Sequence, residues 1–319
     1  MKPIVFVPEL IAPIGMDLLK QECDCLSPWE IGAEPNRSLL YSADAVIVRL
    51  FKIDRDDITL AKKLKVIAKH GVGLDNIDCT AASEFLIPVV YTPTANANAV
   101  AEHTIGLMLA LVRGIVPASK ALEDGRFDQR GRFLGIELAG KTLGVIGLGR
   151  VGSIVAQIAA FGLKMDVIGF DPYVAEGSYN GTAQLTNNLE DLLRQSDFVS
   201  LHVSLTPETR NMINARTLAW LKTSCRLINT SRGAVIDENA LVQALVNRKL
   251  GGAALDVFAE EPVPPNHPLL KTPNTLLTPH ISSTTVESLD RMSLQAAQGV
   301  LDVLHGQNPR YIFNPEVLP

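Results

Sequence analysis

Short runs of β-branched and aliphatic residues alternate with helical stretches along this chain, and the alternation starts twice. In the first series, residues 3–7 (PIVFV), 45–49 (AVIVR), 65–69 (KVIAK) and 88–92 (PVVYT) read as strands, with helices such as 55–64 and 78–86 between them. In the second, 141–146, 165–170, 197–203, 225–229 and 253–257 read as strands. Strand–helix alternation of this kind implies a parallel sheet with helices on both faces. The restart predicts two α/β sheets in series. Residues 97–113 (ANAVAEHTIGLMLALVR) are apolar nearly all round, as a helix buried between two domains is. Beyond residue 280 the spacing of Leu289, Met292, Ala296, Val300 and Val303 predicts a long amphipathic helix that returns to the first domain. The tail 307–319 is expected to be extended.

Bulk properties narrow the class. A chain of 319 residues accommodates two cores of ordinary size. A formal net charge of −5 argues against a nucleic-acid binder, and an anionic substrate would need local basic residues to hold it. No stretch has the roughly eighteen uninterrupted apolar residues of a membrane span. The opening MKPIVFVPEL reads as a first strand and not as a signal peptide. Cys23, Cys25, Cys79 and Cys225 fit neither a zinc pattern nor a disulfide framework. They read as small buried hydrophobes in a protein of the reducing cytoplasm.

Two glycine-rich stretches compete for a phosphate, KHGVGLDNID at 69–78 and GVIGLGRVGS at 144–153. The second supplies Gly147-x-Gly149-x-x-Gly152 after a strand and at the start of a helix, 150–162. Asp171 follows the next strand, 19 positions beyond Gly152, where a carboxylate accepts hydrogen bonds from an adenosine ribose. Gly147 permits the turn, Gly149 admits a pyrophosphate, and Gly152 lets helix and strand approach. Asp171 would repel the extra phosphate of NADP, so the cofactor expected is NAD. A ligand-free glycine turn is the plainer alternative, and the strand, helix and acid together weigh against it.

Chemistry on a carbonyl then needs an anion grip, a proton donor and a partner for that donor. Arg232, in NTSRGAV, follows a strand end and can hold a carboxylate through two parallel hydrogen bonds. His280, in LLTPHISS, has the residue type of a general acid–base. Glu261 could fix its tautomer and stabilise the imidazolium, although the adjacent Glu260 serves equally on chemistry alone. Either Arg232 or His280 could instead be an ordinary loop side chain. No cluster has metal-ligand spacing.

The segments KHGVGLDNID, NAVAEHTIGLMLALVR, GKTLGVIGLGRVG, INTSRGAVIDENAL, GGAALDVFAEEP and NTLLTPHIS together resemble the D-isomer-specific 2-hydroxyacid dehydrogenase family, in its order and along nearly the whole chain. The resemblance implies an α/β protein of two Rossmann-like, doubly wound parallel-sheet domains. The NAD-binding domain, 99–285, is inserted in a split substrate domain, 1–98 plus 286–319. It also implies an NAD-dependent oxidoreductase with Arg232 binding the substrate carboxylate, Glu261 partnering the histidine and His280 as acid–base. Asp256 would contact the nicotinamide amide, and Arg150, Val151, Val203, Thr230 and Ser231 would line the cofactor. HGVGLDN resembles an anion nest for substrate, with Val72 and Gly73 as N–H donors, although Asn76 stands where a third glycine would. Ser282 and Ser283 stand where glycine or alanine is usual, and Ser204 replaces a common proline.

The partner expected is a small anionic 2-hydroxy or 2-keto acid. Arg49 and Lys52 leave the end of a first-domain strand, and Arg49 resembles an arginine that binds a second anionic group in phosphoglycerate dehydrogenases. A dianionic substrate such as 3-phosphoglycerate or sulfolactate is the leading expectation. Glyoxylate or hydroxypyruvate reduction is the alternative, and Lys69 is a further basic residue without an assigned role. An NAD-sensing, corepressor-like binding protein is the reading from another class, which the complete Arg232–Glu261–His280 set disfavours. The resemblance also implies a homodimer built through 97–113 and the GRFDQRGRFLGIEL segment.

Overall fold

The computed structural model describes residues 2–175, 178–179 and 181–318. They form two compact units, residues 1–96 with 284–319, and residues 97–283. Each crossing lies two residues before the position expected. The first follows from helix Ala97–Arg113, which begins at the boundary, and the second from the Ser/Thr run that precedes helix Val286–Leu304.

The first unit holds strands β1 (Ile4–Phe6), β2 (Asp24–Leu26), β3 (Ala45–Val48), β4 (Val66–Lys69) and β5 (Val89–Val90) in the order β2-β1-β3-β4-β5. Every strand pair is parallel. All four residues of β3 and of β4 are buried, as in a sheet covered on both faces. This strand order places the topological switch point between β1 and β3, where open α/β sheets bind ligands beyond the strand C-termini. Helix Val286–Leu304 contributes Ala296, Ala297, Val300 and Leu301 to the core that contains Val5, Val66 and Val90. It begins at Val286, three residues before the first residue of that pattern, where Thr285 caps it by accepting the Ser288 N–H. In the tail, Ile312 forms an antiparallel bridge with Val90, and residues 315–317 make a 3₁₀ turn instead of continuing extended.

The second unit continues with β6 (Thr142–Ile146), β7 (Asp166–Phe170), β8 (Gln184–Leu185), β9 (Phe198–Leu201), β10 (Arg226–Asn229), β11 (Gly252–Leu255) and β12 (Thr275–Leu277). Their order is β12-β11-β10-β9-β6-β7-β8, again all parallel. This is the doubly wound nucleotide-binding order, with its switch point between β6 and β9. Helix Ala97–Arg113 packs Ala101, Ile105, Met108 and Val112 against Leu143, Val145, Ile228 and Ala254 of this sheet.

Candidate active site

The glycine turn of the second unit lies at its switch point, between the ends of β6 and β9. Gly147 has φ +91°, and a Cβ there would stand 2.8 Å from the His202 carbonyl and 3.0 Å from the Val203 side chain. A Cβ on Gly152 would lie 1.9 Å from the Gly147 oxygen, so the helix start and the turn touch only because Gly152 lacks one. At Gly149 a Cβ would meet nothing within 4 Å. That open face, at the N-terminus of helix Arg150–Gln157 with its unpaired N–H groups and positive dipole end, fits a pyrophosphate. Arg150 and Val151 form the first turn of that helix.

Asp171 stands beyond β7. Its carboxylate accepts the N–H of Leu148, inside the glycine turn, at 2.8 Å and that of Tyr173 at 2.9 Å. An acid is thereby fixed beside the turn, as a ribose site requires. Thr230 and Ser231 follow β10, but their hydroxyls are committed to protein. Thr230 pairs with Thr104 at 2.8 Å, and Ser231 donates to Asn229 Oδ1 at 2.8 Å. Toward a cofactor they offer backbone and surface. The residues thus fit a dinucleotide.

His280 Nδ1 and Glu261 Oε2 are 2.7 Å apart, so Glu261 and not Glu260 is the carboxylate on the histidine. The same Glu261 accepts the Phe258 N–H at 2.9 Å through its other oxygen. Burial favours a neutral Glu261, yet the His280 hydrogen bond, the Phe258 N–H and the nearby Arg232 guanidinium outweigh it and hold the carboxyl below its ordinary range. Arg232 follows β10, and its guanidinium donates to the Ser231 carbonyl at 2.6 Å. Its own carbonyl accepts from Asn229 Nδ2 at 2.9 Å, which fixes the backbone that carries it.

Asp256, at the end of β11, is fully buried. It accepts the Thr278 hydroxyl at 2.6 Å, the Ile281 N–H at 2.9 Å and the Ser282 N–H at 2.8 Å, and its carbonyl accepts the His280 N–H at 2.8 Å. In this structure its carboxylate is the anchor of the His280 turn. Burial works to raise its pKa, but hydrogen bonds from His103, Thr278 and the turn prevail and push it down to about 2. Thr278 and His103, 3.2 Å apart, belong to this anchor and were not singled out by sequence reasoning. The available signal was the Thr278-Pro279-His280 run.

In the first unit, Arg49 follows β3 at that sheet's switch point. The Glu9 carboxylate, beyond β1, accepts the N–H groups of Arg49, Leu50 and Phe51 at 2.7, 2.9 and 2.9 Å. The Arg49 guanidinium donates to the Leu10 carbonyl at 3.0 Å. The Lys69 ammonium, buried at the end of β4, donates to the Arg49 carbonyl and to Asn76 Oδ1, while Asn76 Nδ2 donates to the Phe51 carbonyl at 2.7 Å. Lys69 and Asn76 thus brace the two loops to each other, which accounts for an asparagine where a third glycine would sit. Among the described residues the Val72 and Gly73 N–H groups have no protein acceptor, whereas Gly71 exchanges hydrogen bonds with Thr92. Lys52 is exposed.

A doubly wound dinucleotide domain with a carboxylate–imidazole pair and an arginine at its strand ends defines a nicotinamide-dependent dehydrogenase. Residues 105–282 match the family described as D-isomer specific 2-hydroxyacid dehydrogenase, NAD binding domain. The chain is 41% identical to the glyoxylate reductase of Thermofilum pendens, an alignment covering 99% of this chain and 96% of that protein. It is 44% identical to the D-3-phosphoglycerate dehydrogenase of Methanocaldococcus jannaschii over 87% of this chain but only 53% of that protein, so it spans about half of that relative. The structure of the Aquifex aeolicus D-lactate dehydrogenase complexed with NAD and lactic acid is similar, with a TM-score of 0.85 at 29% identity over 99% of this chain and 97% of the other. The chain belongs to the D-isomer-specific 2-hydroxyacid dehydrogenase family, NAD-dependent oxidoreductases acting on 2-hydroxy acids.

Proposed function

We propose that the enzyme interconverts a 2-hydroxy acid bearing a second anionic group and its 2-keto acid, with Arg232, Glu261 and His280 acting on the reacting centre. The observation that carries the chemistry is the 2.7 Å His280–Glu261 contact. With Nδ1–H held by Glu261, the other ring nitrogen is left to face substrate. During reduction Nε2–H gives its proton to the oxygen of the former carbonyl, and the Glu261 carboxylate stabilises the imidazolium beforehand. Oxidation runs the transfer in reverse, with neutral His280 taking the hydroxyl proton. Arg232 pairs with the substrate carboxylate and polarises the neighbouring carbonyl. The nicotinamide, when bound, supplies or accepts the hydride. Gly147, Gly149, Arg150, Val151 and Gly152 would hold its pyrophosphate, Asp171 the ribose with a preference for NAD, and Val203, Thr230 and Ser231 the remainder, with Asp256 behind them as the anchor of the His280 turn rather than a direct contact.

The second anionic group is assigned to Arg49, whose position beyond β3 at the switch point supports that role. The unpaired N–H groups of Val72 and Gly73 suit the substrate carboxylate. Lys69 is assigned a bracing role. Glyoxylate or hydroxypyruvate reduction is the second reading, favoured by the near-complete overlap with a glyoxylate reductase.

A panel of 2-keto acids separates the two. Phosphohydroxypyruvate and sulfopyruvate are expected to exceed glyoxylate, hydroxypyruvate and pyruvate in kcat/KM, with Arg49→Ala removing the margin. Equal rates with small keto acids, unaffected by Arg49→Ala, would leave the glyoxylate reading. His280→Ala and Glu261→Gln are expected to lower kcat with either class.

A homodimer in the cytoplasm completes the proposal. Exposed Ile115, Val116, Leu122, Phe127 and Leu134 on 115–134 favour association, and the four free cysteines suit a reducing compartment. Sedimentation of Leu134→Asp beside the wild type tests the dimer, with a shift to monomer expected.

A further inference from the structure

The Phe258–Ala259 peptide lies where the parts of the active site meet. Gly233, next to Arg232, packs directly against it: a Cβ on Gly233 would stand 1.8 Å from the Phe258 carbonyl carbon and 2.3 Å from the Ala259 nitrogen. Glu261 grips the Phe258 N–H with one oxygen and His280 with the other. The Phe258 backbone joins the two contacts, its N–H to Glu261 and its carbonyl to Gly233, so a shift of it moves Arg232 and Glu261 together.

The N–H of this peptide, on Ala259, is held by a second carboxylate–histidine pair. Glu238 Oε1 accepts it at 2.9 Å, and Glu238 Oε2 lies 3.2 Å from His267 Nε2. The His267 ring also packs edge-on against the Phe258 ring, with centroids 6.5 Å apart and planes at 75°. Glu238 is fixed in turn as the first residue of helix Glu238–Val246, which Asp237 caps by accepting the Ala240 N–H. His267 Nδ1 is buried without a hydrogen-bond partner among the described residues, so the ring is oriented by its Nε2 contact and by Phe258. A cavity of about 300 Å³ lined by Glu238, Asn239, Ala259 and His267 adjoins the pair. Ala259 lines this cavity, and its N–H is held there by Glu238.

We propose that Glu238 and His267 are positioning residues that hold the Phe258–Ala259 peptide and thereby place Arg232 and Glu261 against the substrate and His280. The inference rests on the roles given to Arg232, Glu261 and His280 above. It adds a role for two residues that touch neither substrate nor cofactor. An active-site displacement of about 1 Å can cost roughly a hundredfold in rate, so a clamp on a shared peptide has a large lever.

The test compares Glu238→Ala with Glu238→Gln in the full chain, with NADH and the best keto acid of the panel. Glu238→Ala is expected to lower kcat by roughly tenfold to a hundredfold and to raise KM for the keto acid, while KM for NADH stays as in the wild type. Glu238→Gln keeps an oxygen for the Ala259 N–H and is expected to recover most of both. A partly unfolded sample would lower kcat alone, so the rise in keto-acid KM separates positioning from stability. If Glu238→Ala does not fold, His267→Phe keeps the packing on Phe258 and frees Glu238, and a smaller loss of the same pattern is expected. Wild-type kinetics in Glu238→Ala, or equal damage from Ala and Gln, overturns the clamp. Unimpaired turnover by Glu261→Gln and His280→Ala would instead overturn the roles on which it stands.

Discussion

His280 has φ +52°, in the left-handed region that non-glycine residues enter at a cost. What keeps it there is Asp256, which takes the N–H groups of Ile281 and Ser282 on its carboxylate and that of His280 on its carbonyl. The imidazole thus leaves the turn at an angle set by a residue 24 positions earlier in the chain. Asp256→Asn retains the shape but offers one acceptor oxygen where the carboxylate serves several donors. The expected result is a loss of about 2–3 kcal/mol of stability, typical of hydrogen bonds to a charged group, together with a fall in kcat as the turn relaxes. Urea unfolding and steady-state rates on one preparation check both, and an unchanged kcat would detach the anchor from catalysis. Residue chemistry alone left Glu260 and Glu261 equivalent. They differ because Glu261 also closes back on the Phe258 N–H, a contact that depends on how the loop folds.

At the scale of elements, β1, β3 to β7 and β9 to β11 were legible, because a sheet buried on both faces needs short apolar runs. β2, β8 and β12 were not: they have three, two and three residues, Asp-Cys-Leu, Gln-Leu and Thr-Leu-Leu, and lie at the outer ends of their sheets. Edge strands bury little and so leave little pattern. Also illegible were the braces that join distant loops, Glu9 to residues 49–51 and Lys69 to Arg49 and Asn76, since no periodicity marks them. The glycine turn was legible because each glycine answers a separate steric demand. Gly152→Ala puts a methyl 1.9 Å from the Gly147 oxygen, which helix and strand can relieve only by separating. Overpacking of this kind costs about 1–3 kcal/mol, and the variant is expected to melt several degrees lower and to bind NADH more weakly than wild type. Calorimetry and NADH fluorescence titration read the two effects. Retention of NADH affinity would mean that the helix start does not carry the phosphates.

Across the whole molecule, acid should act on stability before it titrates the Asp256 anchor. His70 of the first unit is buried against Ser293, at 2.9 Å, and burial, with the Arg49 and Lys69 charges adding to it, pushes its pKa down from 6.5 to about 4. In the second unit burial pushes His202 down to about 3. A base with a depressed folded pKa leaves the unfolded chain binding more protons, so its contribution is fully present above pH 6.5 and is lost as the pH falls toward the folded value. For His70 the loss amounts to about 3 kcal/mol by pH 4. Asp256 works lower: its contribution is present above the ordinary carboxylate range and disappears only as the pH nears about 2. Trp29 lies in the first unit and Trp220 in the second, so Trp220→Phe makes fluorescence report the first unit alone. In that background the urea midpoint is expected to fall steadily from pH 6.5 to pH 4, and His70→Gln to flatten the decline. A midpoint constant over that range in the parent, or a decline as steep in His70→Gln, would remove the buried histidine as its cause.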